Sequence, residues 1–336
     1  MSNHHHISKV FSSKKRILCG VIAVIVLIAL VAGAILMLDK CEHTGPFTPP
    51  VPNSVKNTIE YNGKTFEKKN NVETLLVMGL DKFEGEIENN SYNNDQQADF
   101  LMLFVIDNEN STYNAIHINR DTMTNVNVLD LAGGVMGTKY EQVALAHTYG
   151  KGGKVSCYNT SAAVSGILDD TKIDHYVSVT MDAVPEINDL VGGVEVEVLD
   201  DFSGIDDTLV KGETVLLEGE HALTYVRTRY GLEDSTNTTR MIRQRQYINA
   251  LIEKTQYCVE NDDDFLFSAI DVVAEYMVSD CSVTRLNSLL EKLSTYEFEE
   301  IYEIEGESKL GEVYMEFTPD EKSVKDLLIK LLSKPV

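Results

Sequence analysis

The sequence predicts a layered α/β domain carried outside the cytoplasm behind a single N-terminal transmembrane helix, on three observations. An uncharged apolar run extends from Ile17 to Leu38. Every Asp and Glu lies after that run. The rest of the chain mixes short β-rich runs with helical stretches, the pattern of a layered domain with both element types.

The run ILCGVIAVIVLIALVAGAILML contains no charge, Asn, Gln or Pro. As a helix it is roughly 30 Å long, the thickness of a bilayer core. A signal-peptide core is usually shorter, and a buried core helix of this length would show a polar face. Asp39 and Lys40 stand where a lipoprotein cleavage site at Cys41 requires small residues. Lys9, Lys14, Lys15 and Arg16 precede the run without an acidic residue, so the positive-inside bias keeps the N-terminus cytoplasmic. The expected layout is a cytoplasmic tail (1–16), a transmembrane helix (17–38), a Pro-rich extracytoplasmic spacer (39–70) and a folded domain (71–336). Four of the seven prolines, Pro46, Pro49, Pro50 and Pro52, stiffen the spacer. The expected location is the cell membrane, with the domain on the outside.

The exported part sets all 53 acidic residues against 25 of the 29 basic ones, a net charge of −28. That disfavours nucleic acid as a partner. A site for any other anion must then be a local concentration of Arg, a cation, or both. Cys41, Cys157, Cys258 and Cys281 show no zinc-type spacing, and read as structural thiols or one bridge.

Thr74–Leu80, Phe100–Ile106 and Thr112–Asn119 read as strands of an antiparallel meander. If they are neighbours, Asp81, Asp99, Arg120 and Asp121 share one rim. Helices are expected at Tyr140–Thr148, Asn159–Leu168, Ala183–Leu190, Asp264–Val278, Val283–Thr295 and Asp320–Leu332, with strands at Tyr176–Thr180 and Glu300–Ile304.

The densest polar signal is YVRTRYGLEDSTNTTRMIRQRQ, Tyr225–Gln246. Read as a strand, Tyr225–Arg229 points Arg227 and Arg229 to one face. Read as a helix, the segment from Arg240 aligns Arg240, Arg243, Gln244 and Tyr247. Clustered guanidiniums repel one another unless an anion compensates, and their planar forks suit phosphate or pyrophosphate. For any single Arg, a surface ion pair is the commoner fate. Asp81 and Asp99 form a carboxylate pair suited to Mg²⁺, which takes one or two carboxylates plus phosphate oxygens and water.

Six ordered segments resemble the LytR-CpsA-Psr family, best over 71–255: LLVMGLD (Leu75–Asp81), QQADFLMLFVID (Gln96–Asp107), INRDT (Ile118–Thr122), LVGGVEV (Leu190–Val196), LEGEHALTYVRTR (Leu217–Arg229) and RMIRQ (Arg240–Gln244). The resemblance implies an α/β/α sandwich with a central mixed sheet and an apolar groove for a lipid tail. It also implies a phosphotransferase that moves a wall glycopolymer from a polyprenyl-pyrophosphate carrier to peptidoglycan, releasing polyprenyl phosphate. On that resemblance Asp81 and Asp99 engage Mg²⁺, and Arg120, Arg227, Arg229, Arg240 and Gln244 hold the pyrophosphate. Asp121 orients neighbouring Arg, Asp234 is the candidate to position or deprotonate the acceptor hydroxyl, Arg243 is a further candidate contact, and Lys139 is either an extra phosphate contact or, more simply, a surface Lys. Gln97 stands where the family commonly has Arg, and Asn119 where it has Pro. Two other readings stay open: a pyrophosphatase using water as acceptor, and a noncatalytic cell-wall binding or regulatory protein.

Overall fold

The computed structural model of the chain describes residues 58–81, 96–130, 132–232, 237–262 and 296–336, with short runs between 263 and 295. Its first elements are β1 (Thr58–Tyr61) and β2 (Lys64–Lys68), an antiparallel hairpin. Asn62 and Gly63 turn it, both with positive φ, as a two-residue hairpin turn requires. Thr58–Lys68 therefore leave the spacer expected over 39–70 and belong to the folded domain.

The meander is present as read: β3 (Val72–Leu80), β4 (Ala98–Asp107) and β5 (Thr112–Ile118) pair antiparallel in sequence order. The chain then makes a second hairpin, β6 (Met123–Leu129) with β7 (Val135–Gln142). The helix expected over Tyr140–Thr148 is instead the end of β7 followed by a 3-10 turn, Val143–Thr148. That turn is held down by Val143 and Ala144 N–H donating to the carbonyls of Thr122 and Arg120. Next come α1 (Gly153–Ile167), β8 (His175–Thr180), α2 (Ala183–Leu190), the β9 (Val194–Glu197) and β10 (Thr214–Leu217) pair, α3 (Glu220–Arg227) and α4 (Asn237–Asn261). The C-terminal part supplies β11 (Met277–Ser279), β12 (Glu297–Glu303), the hairpin of β13 (Gly306–Leu310) and β14 (Met315–Pro319), α5 (Glu321–Leu327) and β15 (Ser333–Pro335). The helix expected over Asp264–Val278 thus ends in a strand. Asp320 caps α5, its carboxylate accepting from Ser323 N–H at 3.0 Å.

The central sheet has the order β11-β8-β3-β4-β5-β12, with β8 parallel to β3 and β12 parallel to β5. Its inner strands are apolar on both faces because both faces are covered. Alternate residues divide between them. Leu76, Met78, Leu101 and Ile116 pack with Ala163 and Val164 of α1 and with Leu327, Leu328 and Leu331 near the C-terminus. Leu75, Val77, Met102 and Phe104 pack with Ile252 of α4 and with Leu286 and Leu289. The domain is accordingly a mixed α/β sandwich. β15 pairs with β2, so the chain's last strand closes on its first hairpin.

Among the described residues no helix is long and apolar enough to cross a membrane. The tail 1–16, the apolar run 17–38 and residues 39–57 lie outside them. Cys157, Cys258 and Cys281 are unbridged.

Candidate active site

The rim where β3 ends, β4 begins and β5 ends carries the cluster that the meander anticipates. Asp81 N–H donates to the Gln97 carbonyl at 3.1 Å, which ties the first two strand ends together. Arg120, just past β5, reaches back across the rim. One of its guanidinium nitrogens bonds Asp99 Oδ1, another bonds Gln97 Oε1 at 2.5 Å, and its Nε stands 3.5 Å from Asp121 Oδ1. Arg240, on the first turn of α4, meets the other side of Asp99, Nη1 to Oδ2 at 3.3 Å. Arg227 stands 3.5 Å from Asp81 and Arg229 stands 3.9 Å from Asp121.

Arg227 and Arg229 arrive by a different route from the strand expected at Tyr225–Arg229. Arg227 is the last residue of α3, and Arg229 lies in the loop after it. Ala222, Tyr225 and Val226 are buried at helical spacing, so the 3.6-residue period of the wider segment overrides the local alternation.

These residues line a pocket of ≈ 1110 Å³, with Gln97, Glu220, Thr224, Tyr230, Leu310, Val313 and Tyr314 in its walls. Four guanidiniums there face four carboxylates, Asp81, Asp99, Asp121 and Glu220, with Arg120, Arg229 and Arg240 largely withdrawn from water and Arg227 half-exposed. Burial, then the neighbouring Arg240, pushes Arg120 down to about 10; burial, then Arg229, does the same to Arg240. Both remain cationic at neutral pH; burial is the larger cause of each shift, and the neighbouring guanidinium the next. Burial raises the Asp121 carboxyl against the pull of Arg120 and Arg229.

A neighbouring cavity, of ≈ 100 Å³, runs beneath β8, β3 and β4 and is lined by Val77, Gly79, Phe100, Val179, Met181, Val184, Ile187, Val226 and Leu251 among others. Gly79 makes room there: a Cβ on it would lie 2.9 Å from that of Phe100. Phe100 and Val226 adjoin Asp99 and Arg227 in sequence, so the apolar cavity abuts the charged pocket.

Three residues expected at the anion do not line the charged pocket. Arg243 is fully buried on the far side of α3: it pairs with Asp200 at 3.0 Å, donates to the Tyr225 and Thr228 carbonyls, and lies against the Phe202 and Tyr225 rings. It faces inward because the residues beside α4 there are a carboxylate and aromatic rings. Lys139 is exposed on β7 and donates to the Tyr149 hydroxyl at 3.1 Å. Gln244 lines the apolar cavity and donates to the Val226 carbonyl at 3.2 Å. Asp234 lies outside the described residues.

Other residues position the cluster and escape sequence reading. Asn119 Oδ1 accepts from Asp121 N–H at 2.9 Å and from Asn237 Nδ2 at 2.7 Å, while Asn237 Oδ1 accepts from Arg240 Nε at 2.9 Å. Gln142 Nε2 donates to both Asp121 Oδ1, at 2.8 Å, and the Met315 carbonyl, at 2.7 Å. The only sequence cue is that Asn119 replaces a family Pro.

TagV of Bacillus subtilis, a polyisoprenyl-teichoic acid–peptidoglycan teichoic acid transferase, is 32% identical over 188 residues, covering 54% of this chain and 43% of that protein. TagU of Bacillus subtilis, with the same activity in its name, is 27% identical over 244 residues, covering 72% and 71%. The chain thus spans less than half of TagV and about seven-tenths of TagU. Among solved structures, TagT bound to LI-WTA superposes with a TM-score of 0.58 at 21% identity over 78% of this chain and 90% of that one. Bacillus subtilis TagV superposes with a TM-score of 0.57 at 25% identity over 78% and 96%. The LytR_cpsA_psr family model matches residues 50–331, and the chain belongs to that family.

Proposed function

We propose that this protein transfers a wall glycopolymer of the teichoic-acid type from a polyprenyl-pyrophosphate carrier to a peptidoglycan hydroxyl, releasing polyprenyl phosphate. The observation that carries this reading is the convergence of Arg120, Arg227, Arg229 and Arg240 with Asp81, Asp99 and Asp121 on one rim, beside an apolar cavity. A pyrophosphate diester presents paired oxygens that suit the planar guanidinium forks, and the cavity accepts the first apolar units of the carrier.

In the reaction the acceptor hydroxyl oxygen forms a bond to the glycan-bearing phosphorus. The bond from that phosphorus to the bridging oxygen breaks, and the hydroxyl proton is lost to a base. Negative charge builds on the bridging oxygen as polyprenyl phosphate leaves. Arg120 and Arg240 are already fixed by Asp99, Gln97 and Asn237, so they meet that charge without reorganising. Arg227, half-exposed on the pocket wall and 3.5 Å from Asp81, is placed to meet the bound anion. Asp121, held by Gln142 and Asn119, orients Arg120 and Arg229.

Asp81 and Asp99 have the hard oxygen donors that Mg²⁺ takes, but both Asp99 oxygens already pair with Arg120 and Arg240, so Asp81 would be the principal ligand and Asp99 would join only by giving up one of those contacts. The charge also fits: Arg120, Arg227, Arg229 and Arg240 are matched by Asp81, Asp99, Asp121 and Glu220 in the pocket walls, so a doubly charged pyrophosphate leaves an excess of two negative charges that a divalent cation offsets. Asp81 is the more open of the two, with a side chain 26% exposed against 6% for Asp99. Such a cation would neutralise phosphate oxygens while the carrier is bound. The 17–38 run would anchor the domain on the outer face of the membrane, N-terminus inside, where both the carrier and the wall lie.

The test is incubation with a polyprenyl-pyrophosphate-linked glycan, peptidoglycan oligomers and Mg²⁺. A covalent glycan–peptidoglycan adduct with release of polyprenyl phosphate is expected. Release of glycan phosphate without acceptor dependence would move the assignment to a pyrophosphatase; binding without turnover would move it to a wall-binding protein.

A further inference from the structure

We propose that Tyr230 and Tyr314 form a stacking subsite for a pyranose ring of the saccharide attached to, or about to accept, the transferred phosphate. The proposal rests on the transferase reading and names the part of the site that reads sugar.

The charged pocket is larger than a pyrophosphate needs, and its walls are of two kinds. On the side toward β8, the Arg and Asp residues adjoin the apolar cavity assigned to the carrier lipid. The opposite side, past the end of β5, is closed by the β13–β14 hairpin. A lipid tail taken toward β8 directs the saccharide to this opposite wall. The pocket walls suit it: Glu220 and Thr224 on α3 offer hydrogen-bonding oxygens, and Tyr230 in the loop after α3 and Tyr314 on the hairpin offer aromatic faces. A pyranose has apolar C–H faces and a polar hydroxyl edge, and tyrosine is amphipathic in the complementary way.

Both rings have local support. Tyr230 is 73% exposed, and Arg229 covers one face at 4.6 Å from the ring centroid, leaving the other face for a ligand. Tyr314 is 38% exposed in the turn between β13 and β14, which Gly311 N–H closes by donating to the Tyr314 carbonyl at 2.8 Å. The hairpin is in turn registered on the catalytic turn. Phe317 N–H donates to the Asp121 carbonyl at 2.9 Å, and Gln142 joins the Met315 carbonyl to the Asp121 side chain. Tyr314 is therefore fixed relative to Asp121, as a residue that sets the position of a sugar next to the reacting phosphorus must be. Leu310 and Val313, also exposed on the hairpin, could instead touch a bilayer, which the experiment separates.

Calorimetric titration with four probes tests the proposal: a short-chain polyprenyl pyrophosphate, the same lipid carrying a disaccharide, a peptidoglycan oligosaccharide, and glycan-free lipid vesicles. Wild type is expected to bind the glycan-bearing lipid, the oligosaccharide, or both, with a contribution from the rings of about tenfold. Tyr314→Ala should remove that contribution, Tyr314→Phe should keep it, and affinity for the sugar-free lipid should stay within about twofold in both. The turn's backbone hydrogen bond survives any side chain, so these variants fold. Loss confined to the disaccharide lipid places the ring of the donor there; loss confined to the oligosaccharide places the acceptor. If Tyr230→Ala/Tyr314→Ala binds both saccharide probes like wild type, or if Tyr314→Ala loses sugar-free lipid equally, the stacking subsite is refuted. A defect seen only with glycan-free vesicles makes the hairpin a membrane contact and also refutes it. Failure of wild type to bind either lipid overturns the transferase reading itself.

Discussion

Arg243 and Asp200 form an ion pair at 3.0 Å within the domain, the Arg243 side chain being fully buried and Asp200 15% exposed. The same guanidinium donates to the carbonyls of Tyr225 and Thr228, which flank Arg227. One buried cation therefore supports the segment that carries two of the pocket's arginines. Removing it orphans a carboxylate and two carbonyls. Arg243→Ala is expected to destabilise the domain by about 3–5 kcal/mol, the usual cost of breaking a buried pair from one side. Chemical denaturation measures it; an unchanged unfolding midpoint would mean that the pair contributes nothing.

Arg227 and Arg240 should separate activity from stability. Arg227 is 47% exposed and Arg240 only 4%, yet both line the pocket. Loss of either should lower turnover by about 10²–10³, the range for removing one preorganised donor. Arg227→Ala should unfold at the wild-type temperature. Arg240→Ala should unfold earlier, because Asp99 and Asn237 each lose a partner. Lys at either position should rescue poorly, since its ammonium lacks the planar fork. Assay and thermal melt on the same preparations decide it.

These two residues also show how far sequence reaches. β3, β4 and β5 were legible because each is a short apolar run bounded by turn residues, and sequential strands usually pair. Their order then brought Asp81, Asp99 and Arg120 together. The arginines after residue 225 were legible as a group but not in their sorting. Helical spacing puts Arg240 and Arg243 near one another, yet three residues are about 300° of rotation, enough to send one to the pocket and the other to Asp200. The neighbours that decide this, Phe202 and Asp200 on one side and Asp99 on the other, are distant in sequence. Asn119, Asn237 and Gln142 were hidden for the same reason: an amide acquires a positioning role only through the two groups it bridges.

Filling the apolar cavity should affect long carriers selectively. Val179 on β8 lines it and lies outside the charged pocket. Val179→Phe is expected to raise KM for a long-chain polyprenyl-pyrophosphate glycan several-fold, on the order of one lost side-chain burial. Its kcat, and its KM for a very short-chain analogue, should stay near wild type. Equal effects on both chain lengths would argue that the tail lies elsewhere.

Acid should destabilise the domain through its buried histidines. His147 is fully buried, with Nδ1 3.2 Å from the Gln96 carbonyl, and burial pushes its pKa from 6.5 down to about 4. Its folded value lies below its unfolded one, so its contribution is complete above pH 6.5 and is lost as pH falls through 4. The loss amounts to about 3 kcal/mol. His117 is lowered further, to about 3, by burial and then by Arg245 and Arg240. Denaturation free energies from pH 7 to 4 should therefore fall, and His147→Gln should show a shallower slope by about one proton. A variant with the wild-type slope would show that His147 is not held neutral.

The fold also constrains how the domain can meet a membrane-borne carrier. Thr58 pairs with Glu67 just before β3 begins, whereas the charged pocket lies where β3 ends. Nine strand residues separate these poles by about 30 Å. If 17–38 is the anchor, the chain enters at the pole opposite the pocket, and residues 39–57 must run back along the domain for the pocket to face the bilayer. Those 19 residues span at most about 65 Å when fully extended, which suffices. Deleting 48–57 leaves nine, a reach of about 30 Å that barely covers the strand length alone. That deletion should lower transfer from carrier in vesicles at least tenfold, while transfer from a short-chain, soluble carrier is unchanged. Replacing 48–57 with a Gly/Ser stretch of equal length should restore most of the vesicle activity, because reach rather than sequence is required. Full vesicle activity after the deletion would mean that the pocket is served without facing the bilayer.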